Sequence, residues 1–273
     1  SATAGPGLVV CLTVGLNAGK AIAGSLNKPF VAVNHLEGHA LSPKINKKIE
    51  FPYLLLLISG GHTQFLEVKG VNNYNRLGTT IDDALGEAFD KTGKLLGIEF
   101  PGGPKIEEWA KKGDENYFKL PKPIFKRGGC NLSFAGLKTA ILYISKKIKS
   151  NKEKYHLAAS FQKTINEILY EKTKVAMREF LKNKEIEEKF FVIAGGVASN
   201  LSIRNNLIKL AKEEKFISIF PPKNLCSDNA AMIAWAGIER YKINLVDNLE
   251  FPLKARWPLD SSAPFLKGPG LKI

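Results

Sequence analysis

Tyr53-Leu-Leu-Leu-Leu-Ile58-Ser-Gly-Gly61 is an unbroken apolar run closed by a serine and two glycines. A continuous apolar run of this length is what a strand buried on both faces requires. The glycines turn the chain sharply at its end. The pattern returns about 135 residues later in Phe190-Phe-Val-Ile-Ala194-Gly-Gly196. Either glycine pair alone is weak evidence, because any tight strand-turn favours glycine. Together they suggest two loops whose backbone amides grip one phosphate-bearing nucleotide.

Working outward, short apolar strands alternate with helical stretches, the signature of an α/β protein. Ala4 to Gly7 reads as a turn, followed by an apolar helix to about Leu26. Phe30 to Val33 is a short strand. His62 to Val68 is a hairpin partner of the opening run, and Asp82 to Leu96 has helical periodicity up to Gly97. Pro101-Gly-Gly-Pro104 reads as a turn. Phe134 to Ile148, Tyr155 to Lys182, Ser202 to Glu214 and Asp228 to Tyr241 are predicted helices, and Phe216 to Phe220 a strand. Residues 261–273 are expected to be a loose tail.

Composition narrows the class. With 44% hydrophobic and 24% charged residues, the chain is an ordinary globular protein. Three scattered cysteines argue against a disulfide scaffold and for a reducing compartment. The longest apolar stretch, Leu8 to Leu26, is interrupted by Gly15, Asn17, Lys20 and Gly24, so it is not a membrane span. No basic segment precedes it, as a signal peptide would need. Ser1 at the start, in place of Met, is what a processed or truncated chain would show. The net charge of +14 favours a polyanionic partner. Of the 40 basic residues six are Arg and 34 Lys, a bias that an A/T-rich genome also produces.

The chemistry starts at Asn34-His-Leu-Glu-Gly-His39. His35 and His39 are four apart, so on a helix both imidazoles leave one face, a ready start for a divalent metal site. Glu37, midway between them, points elsewhere and is badly placed as a metalloprotease base. The third ligand must be distant. Asp228 in Cys226-Ser-Asp-Asn229 is the best candidate, and a plain N-cap aspartate is the competing reading. Asp83, Glu87 and Asp90 share one helix face. Sugar hydroxyl or metal-water contact competes there with a merely solvated face. Gly86 inside that helix suggests a close approach. Between Lys111 and Lys154 the chain concentrates basic residues, among them Lys122, Lys126, Arg127, Lys146 and Lys147. Tyr117, Phe118 and Phe125 are interleaved, as on a nucleic-acid-tracking surface, with scattered solubilising lysines as the alternative.

Taken in order, these segments resemble the TsaD/Gcp family of tRNA threonylcarbamoyladenosine transferases, once described as sialoglycoprotein endopeptidases. The resemblance is carried by Thr3-Ala-Gly-Pro-Gly-Leu8, Asn34 to His39, Leu57-Ile-Ser-Gly-Gly-His-Thr-Gln64, Ile81-Asp-Asp-Ala84 with Phe89-Asp-Lys91, and Phe100-Pro-Gly-Gly103. It continues in Ser133-Phe-Ala-Gly-Leu-Lys138, Ala158-Ala-Ser-Phe-Gln162, Ala194-Gly-Gly-Val197 with Asn200, and Cys226 to Asn229. The ending Arg256-Trp-Pro-Leu-Asp260 is similar to the bacterial (alphaproteobacterial or mitochondrial-type) branch.

The resemblance implies an actin-like ATPase (ASKHA) fold of two lobes with mixed sheets flanked by helices. Residues 1–50 would be the remainder of the first lobe, 51–228 the second lobe with a Lys-rich insertion, and 229–260 a helix returning to the first. Family members carry roughly 75 further residues before the point matching Ser1, so the first lobe would be N-terminally truncated and the activity of the chain as it stands in question.

The implied activity is transfer of threonylcarbamoyl from threonylcarbamoyl-AMP to the N6 amine of the adenosine beside the anticodon in ANN-decoding tRNAs. His35, His39 and Asp228 would hold one divalent metal, iron or zinc. Leu57, Ile58, Ser59, Gly60, Gly61, Asp90, Gly103, Glu107 and Asn200 would bind the adenylate, Glu107 at a position that varies between branches. The implied partners are tRNA, a non-catalytic TsaB-type paralogue and a small TsaE-type P-loop ATPase, with a homodimer also compatible. The implied location is cytoplasmic, or the mitochondrial matrix for an organellar protein. A metal-dependent glycoprotein endopeptidase, a small-molecule kinase of the same superfamily and a non-catalytic scaffold of the modification complex are the alternatives.

Overall fold

The computed structural model describes residues 1–182 and 186–264, all but the side chain of Asn224. The chain opens with β1 (Ala2–Gly5), α1 (Val9–Ser25), β2 (Ala32–Asn34) and α2 (His35–Leu41). β3 (Tyr53–Ile58), β4 (Thr63–Gly70) and β5 (Asn73–Thr79) follow, then α3 (Leu85–Leu96), α4 (Gly102–Ala110), α5 (Ala135–Ser145) and α6 (Asn151–Leu181). The chain continues through β6 (Phe190–Ala194), α7 (Leu201–Glu213), β7 (Ile217–Ile219), α8 (Lys223–Cys226) and α9 (Ala230–Lys242).

The strand read first lies at the middle of the larger sheet, whose order is β5-β4-β3-β6-β7. Every β3 residue is buried, and alternate side chains serve different cores. Leu54, Leu56 and Ile58 pack with Phe89, Phe161, Ile165 and Leu207 under the helices. Tyr53, Leu55 and Leu57 pack with Leu36, Ala40 and Val192 on the other face. Each such leucine contributes about 2 kcal/mol by leaving water. Both faces are therefore covered, which is why the run shows no polar alternation.

The sheet is mixed. β3 runs antiparallel to β4 and parallel to β6, with Leu57 opposite Ala194. That register brings Ser59 to Gly61 and Gly195-Gly196 out at the same end of adjacent strands. α3 to α7 cover one face; α6, with 31 residues, is about 46 Å long at 1.5 Å per residue. A Ser150–Glu153 capping box starts it.

A second, two-stranded parallel sheet pairs β1 with β2. Leu16, Phe30, Ala32, Phe251 and Trp257 form its core. The chain after α9 returns here: the Lys254 amide donates to Ala4 O, and Phe30 bridges Asp247. Asp260 then reaches back to the larger sheet through the Arg76 amide at 2.8 Å. The expected loose tail starts inside the described residues, which end at 264; the rest of it lies outside them. No helix among the described residues is long and apolar enough to cross a membrane.

Four elements differ from the sequence reading, among them α8, which was not read at all. β1 (Ala2–Gly5) runs into the first residues read as a turn, because Ala2, Thr3 and Gly5 pair with Ala32, Val33 and Asn34. β5 carries few apolar residues and is held by ladder bonds to β4. α4 starts inside the Pro-Gly-Gly-Pro segment read as a turn: Pro101 stands at its N-cap and Pro104 in its first turn, where a missing amide costs nothing.

Candidate metal centre and nucleotide cavity

α2 begins where β2 ends. The Asn34 carboxamide caps it, accepting from the Leu36 amide at 2.9 Å, while its amino group donates to Trp257 O. This fixes the first turn, and with it His35 and, one turn on, His39. Their rings meet edge-on with centroids 4.9 Å apart. Asp228 Oδ1 lies 3.0 Å from His39 Nε2 and 3.3 Å from His35 Nε2. One ligand atom from each residue falls within 4.8 Å of the others. Nitrogen and oxygen ligands about 2.0–2.2 Å from a metal sit at just such separations from one another. The two histidines hold the Asp228 carboxyl far below the usual carboxylate range, so it is an anion able to ligate. This donor set fits a borderline divalent ion such as zinc or iron.

The capping alternative for Asp228 does not hold. Asn229 is the N-cap of α9, accepting from the Met232 amide at 2.9 Å. Asp228 stands one residue outside the helix with its side chain 75% exposed. His62 lies alongside; burial, with the neighbouring His35 and His39 adding to it, pushes it down to about 4.

Glu37 is locked away from this centre. Its carboxylate is 1% exposed and pairs with Arg240 of α9 at 2.7 Å. It also accepts from the Tyr74 hydroxyl and the Asn72 amide, both at 2.8 Å. The arrangement ties α2 to α9 and to the β4–β5 turn, and it leaves Glu37 with neither oxygen free to act as a protease base.

Two cavities flank the glycine loops. The first, about 840 Å³, is lined by His35, Asp228, His62 and Ser59 to Gly61, and by β1 and the start of α1. The second, about 530 Å³, is lined by Asp90, Gly103, Glu107, Gly196 and Asn200. Gly60 belongs to both walls, and Ser227 of the second adjoins Asp228 of the first. The amides of Gly60 and Gly61 have no acceptor among the described residues. Gly86 has the close approach its sequence position suggested: a Cβ there would meet Ser59 O at 2.7 Å and Gly60 Cα at 2.8 Å. Gly195, at φ 96°, leaves 2.4 Å between an added Cβ and Ile58 O.

The adenylate-binding residues expected from the sequence are not all brought together. Leu57 and Ile58 have no exposed surface and lie in the two cores, away from both cavities. Ser59 and Gly61 face the first cavity only. Asp90 lines the second and spends one oxygen on the Gly102 amide at 2.8 Å. Glu107 Oε1 accepts from the Leu201 and Ser202 amides at the start of α7. Asn200 caps that helix and donates to Gln162 Oε1 at 2.9 Å.

Asp83 and Glu87 pair with Lys91 and line neither cavity. Lys223, Ser199 and Ser227 line the second cavity and went unread; Pro221-Pro222 before a cation was the only signal for the first. Of the interleaved aromatics, Phe118 and Phe125 pack against the core, and Tyr117 stacks on His156 at 4.5 Å. The aromatic half of the expected nucleic-acid surface is therefore largely turned inward.

The family model described as TsaD, tRNA N6-adenosine threonylcarbamoyltransferase, matches residues 1–235. The chain belongs to this family. The TsaD-family chain is 68% identical over 273 residues to the tRNA N6-adenosine threonylcarbamoyltransferase of Pelagibacter ubique, covering all of itself and 76% of that protein. It is 50% identical over 274 residues to the enzyme of the same description from Zymomonas mobilis, covering 74% of it. Among solved structures it is similar to full-length HypF in its phosphate- and nucleotide-bound form. The TM-score is 0.61 at 15% identity, over 82% of this chain and 37% of that one, a likeness of fold.

Proposed function

We propose that this chain transfers the threonylcarbamoyl group from threonylcarbamoyl-AMP to the N6 amine of the adenosine adjacent to the anticodon in ANN-decoding tRNAs. The observation that carries this reading is the wall shared at Gly60, with the His35–His39–Asp228 cluster on one side and the glycine-lined cavity on the other. A nucleotide in the second cavity presents its phosphate end to the first.

In the reaction, the amine attacks the carbamoyl carbon. The bond from that carbon to a phosphate oxygen breaks, AMP leaves with the electron pair, and the amine gives up a proton. The free amides of Gly60 and Gly61 hold the phosphate as negative charge builds on it. Lys223 adds a cation at the rim of the second cavity. Asp90 Oδ2, Glu107 Oε2 and Asn200 are the polar groups that take the nucleoside. The metal held by His35, His39 and Asp228 supplies, when bound, Lewis acidity and a template. Residues 1–50 with 229–260 act as one lobe and 51–228 as the other. A TsaB-type paralogue and a TsaE-type ATPase are the partners assigned.

The test is formation of threonylcarbamoyl-adenosine on unmodified tRNA, read by nucleoside mass spectrometry, with the adenylate and partner proteins supplied. Modified nucleoside is expected. Its absence, where a homologue under the same conditions yields it, overturns the reading.

A further inference from the structure

The segment Lys122-Pro-Ile-Phe-Lys-Arg127-Gly-Gly129 has no part in either cavity, yet it is an expensively built loop. Ile124 sits at φ 45°, a left-handed conformation that a β-branched side chain rarely accepts, and Gly129 at φ 78°. From below, Lys172 of α6, 1% exposed, donates to Arg127 O at 2.8 Å and Gly129 O at 3.2 Å. Burying an ammonium is costly, and here it goes with two hydrogen bonds that fix the loop's carbonyls from beneath.

The fixed shape is a concavity of about 610 Å³ lined by Leu120, Lys122, Ile124, Phe125, Lys126 and Arg127. Lys122 is spent on Glu167 at 2.6 Å and on the Phe125 ring. Lys126 and Arg127 are exposed, and neither side chain has a partner among the described residues. The loop therefore presents two uncompensated cations on a rigid support.

Its position relative to the cleft follows from α6. Gln162, which holds Asn200 at the second cavity, lies ten residues before Lys172, about 15 Å along the helix. That spans about four nucleotides of a stacked strand at 3.4 Å each. We propose that the loop 122–129 is an RNA-backbone contact, in which Lys126 and Arg127 engage phosphates of the tRNA whose adenosine enters the cleft. The proposal rests on the function proposed above.

The experiment measures tRNA binding by the full chain, with its partner proteins, against salt concentration. It compares wild type, Lys126→Ala/Arg127→Ala and a control, Lys209→Ala/Lys212→Ala, which removes two exposed cations from the second half of α7. The loop variant is expected to bind about tenfold more weakly, with a salt slope lower by about 1.4–1.8. Its AMP affinity should stay at the wild-type value and the control should bind nearly as wild type. Wild-type affinity and slope in the loop variant overturn the contact. So does an equal loss in the control, which would make the effect one of net charge. If wild-type protein neither binds nor modifies tRNA, the proposed function falls, and the contact with it.

Discussion

At the residue scale, the candidate metal centre is built from three side chains at two helix starts. His35→Ala, His39→Ala and Asp228→Asn should each lose bound metal, measured by elemental analysis after dialysis against a weak chelator. Metal content equal to wild type in any of them removes that residue from the ligand set. The cysteines give an independent check on burial. Cys11 is exposed, whereas burial pushes Cys130 up to about 11 and raises Cys226 as well. One thiol of three should therefore react quickly with a disulfide reagent at pH 8, and the other two only on unfolding. Three fast thiols would contradict the packing.

The histidine pair was legible because helical spacing alone puts both rings on one face. Asp228 was legible only as one of two readings; Asn229 had to be seen accepting the Met232 amide before the capping reading fell away. Glu107 and Asn200 were carried by resemblance, and nothing in their spacing shows that both also finish the start of α7.

At the element scale, the pair Glu37–Arg240 joins the helix that carries the histidines to the helix that follows Asp228. Glu37→Gln leaves Arg240 buried without a counter-charge, a loss of about 3–5 kcal/mol. Glu37→Met/Arg240→Met removes both charges and should recover much of that in chemical denaturation. If α2 and α9 are held in register by this pair, the double variant regains stability while binding metal more weakly than wild type. Wild-type metal affinity in the double variant would leave the pair a purely structural role. This contact was invisible in the sequence, because its partners are 203 positions apart. The β3 and β6 strands were the reverse case: complete burial writes itself into composition. β5 was missed because its stability comes from backbone ladder bonds, which leave little trace in side-chain type.

At the scale of the whole molecule, two cavities meeting at one glycine predict coupled but separable binding. AMP at about 100 times its Kd should stabilise the fold by about 2.7 kcal/mol, a rise in Tm of about 5–10 °C at about 2–4 °C per kcal/mol. It should do so with the metal stripped as well as with it bound. Gly86→Ala should abolish most of this rise, because its methyl displaces the Ser59–Gly60 backbone that walls both cavities. An unchanged AMP response in Gly86→Ala would show that the glycine loop does not shape the nucleotide site. The mixed-sheet α/β architecture was readable from alternating strands and helices. The meeting of two distant glycine turns at one sheet end was only suggested, since it depends on β3 and β6 being adjacent and parallel.

The division of labour between Asp228 and Asn229 has a practical consequence. Neighbouring positions carry different jobs, one reaching the histidines and the other starting a helix. Exchanging them, Asp228→Asn with Asn229→Asp, gives a protein of identical mass, composition and formal charge, with a competent cap still in place. Such an isomer should fold and migrate like its parent and fail only at the metal, an internal control in which nothing but the order of two residues has changed.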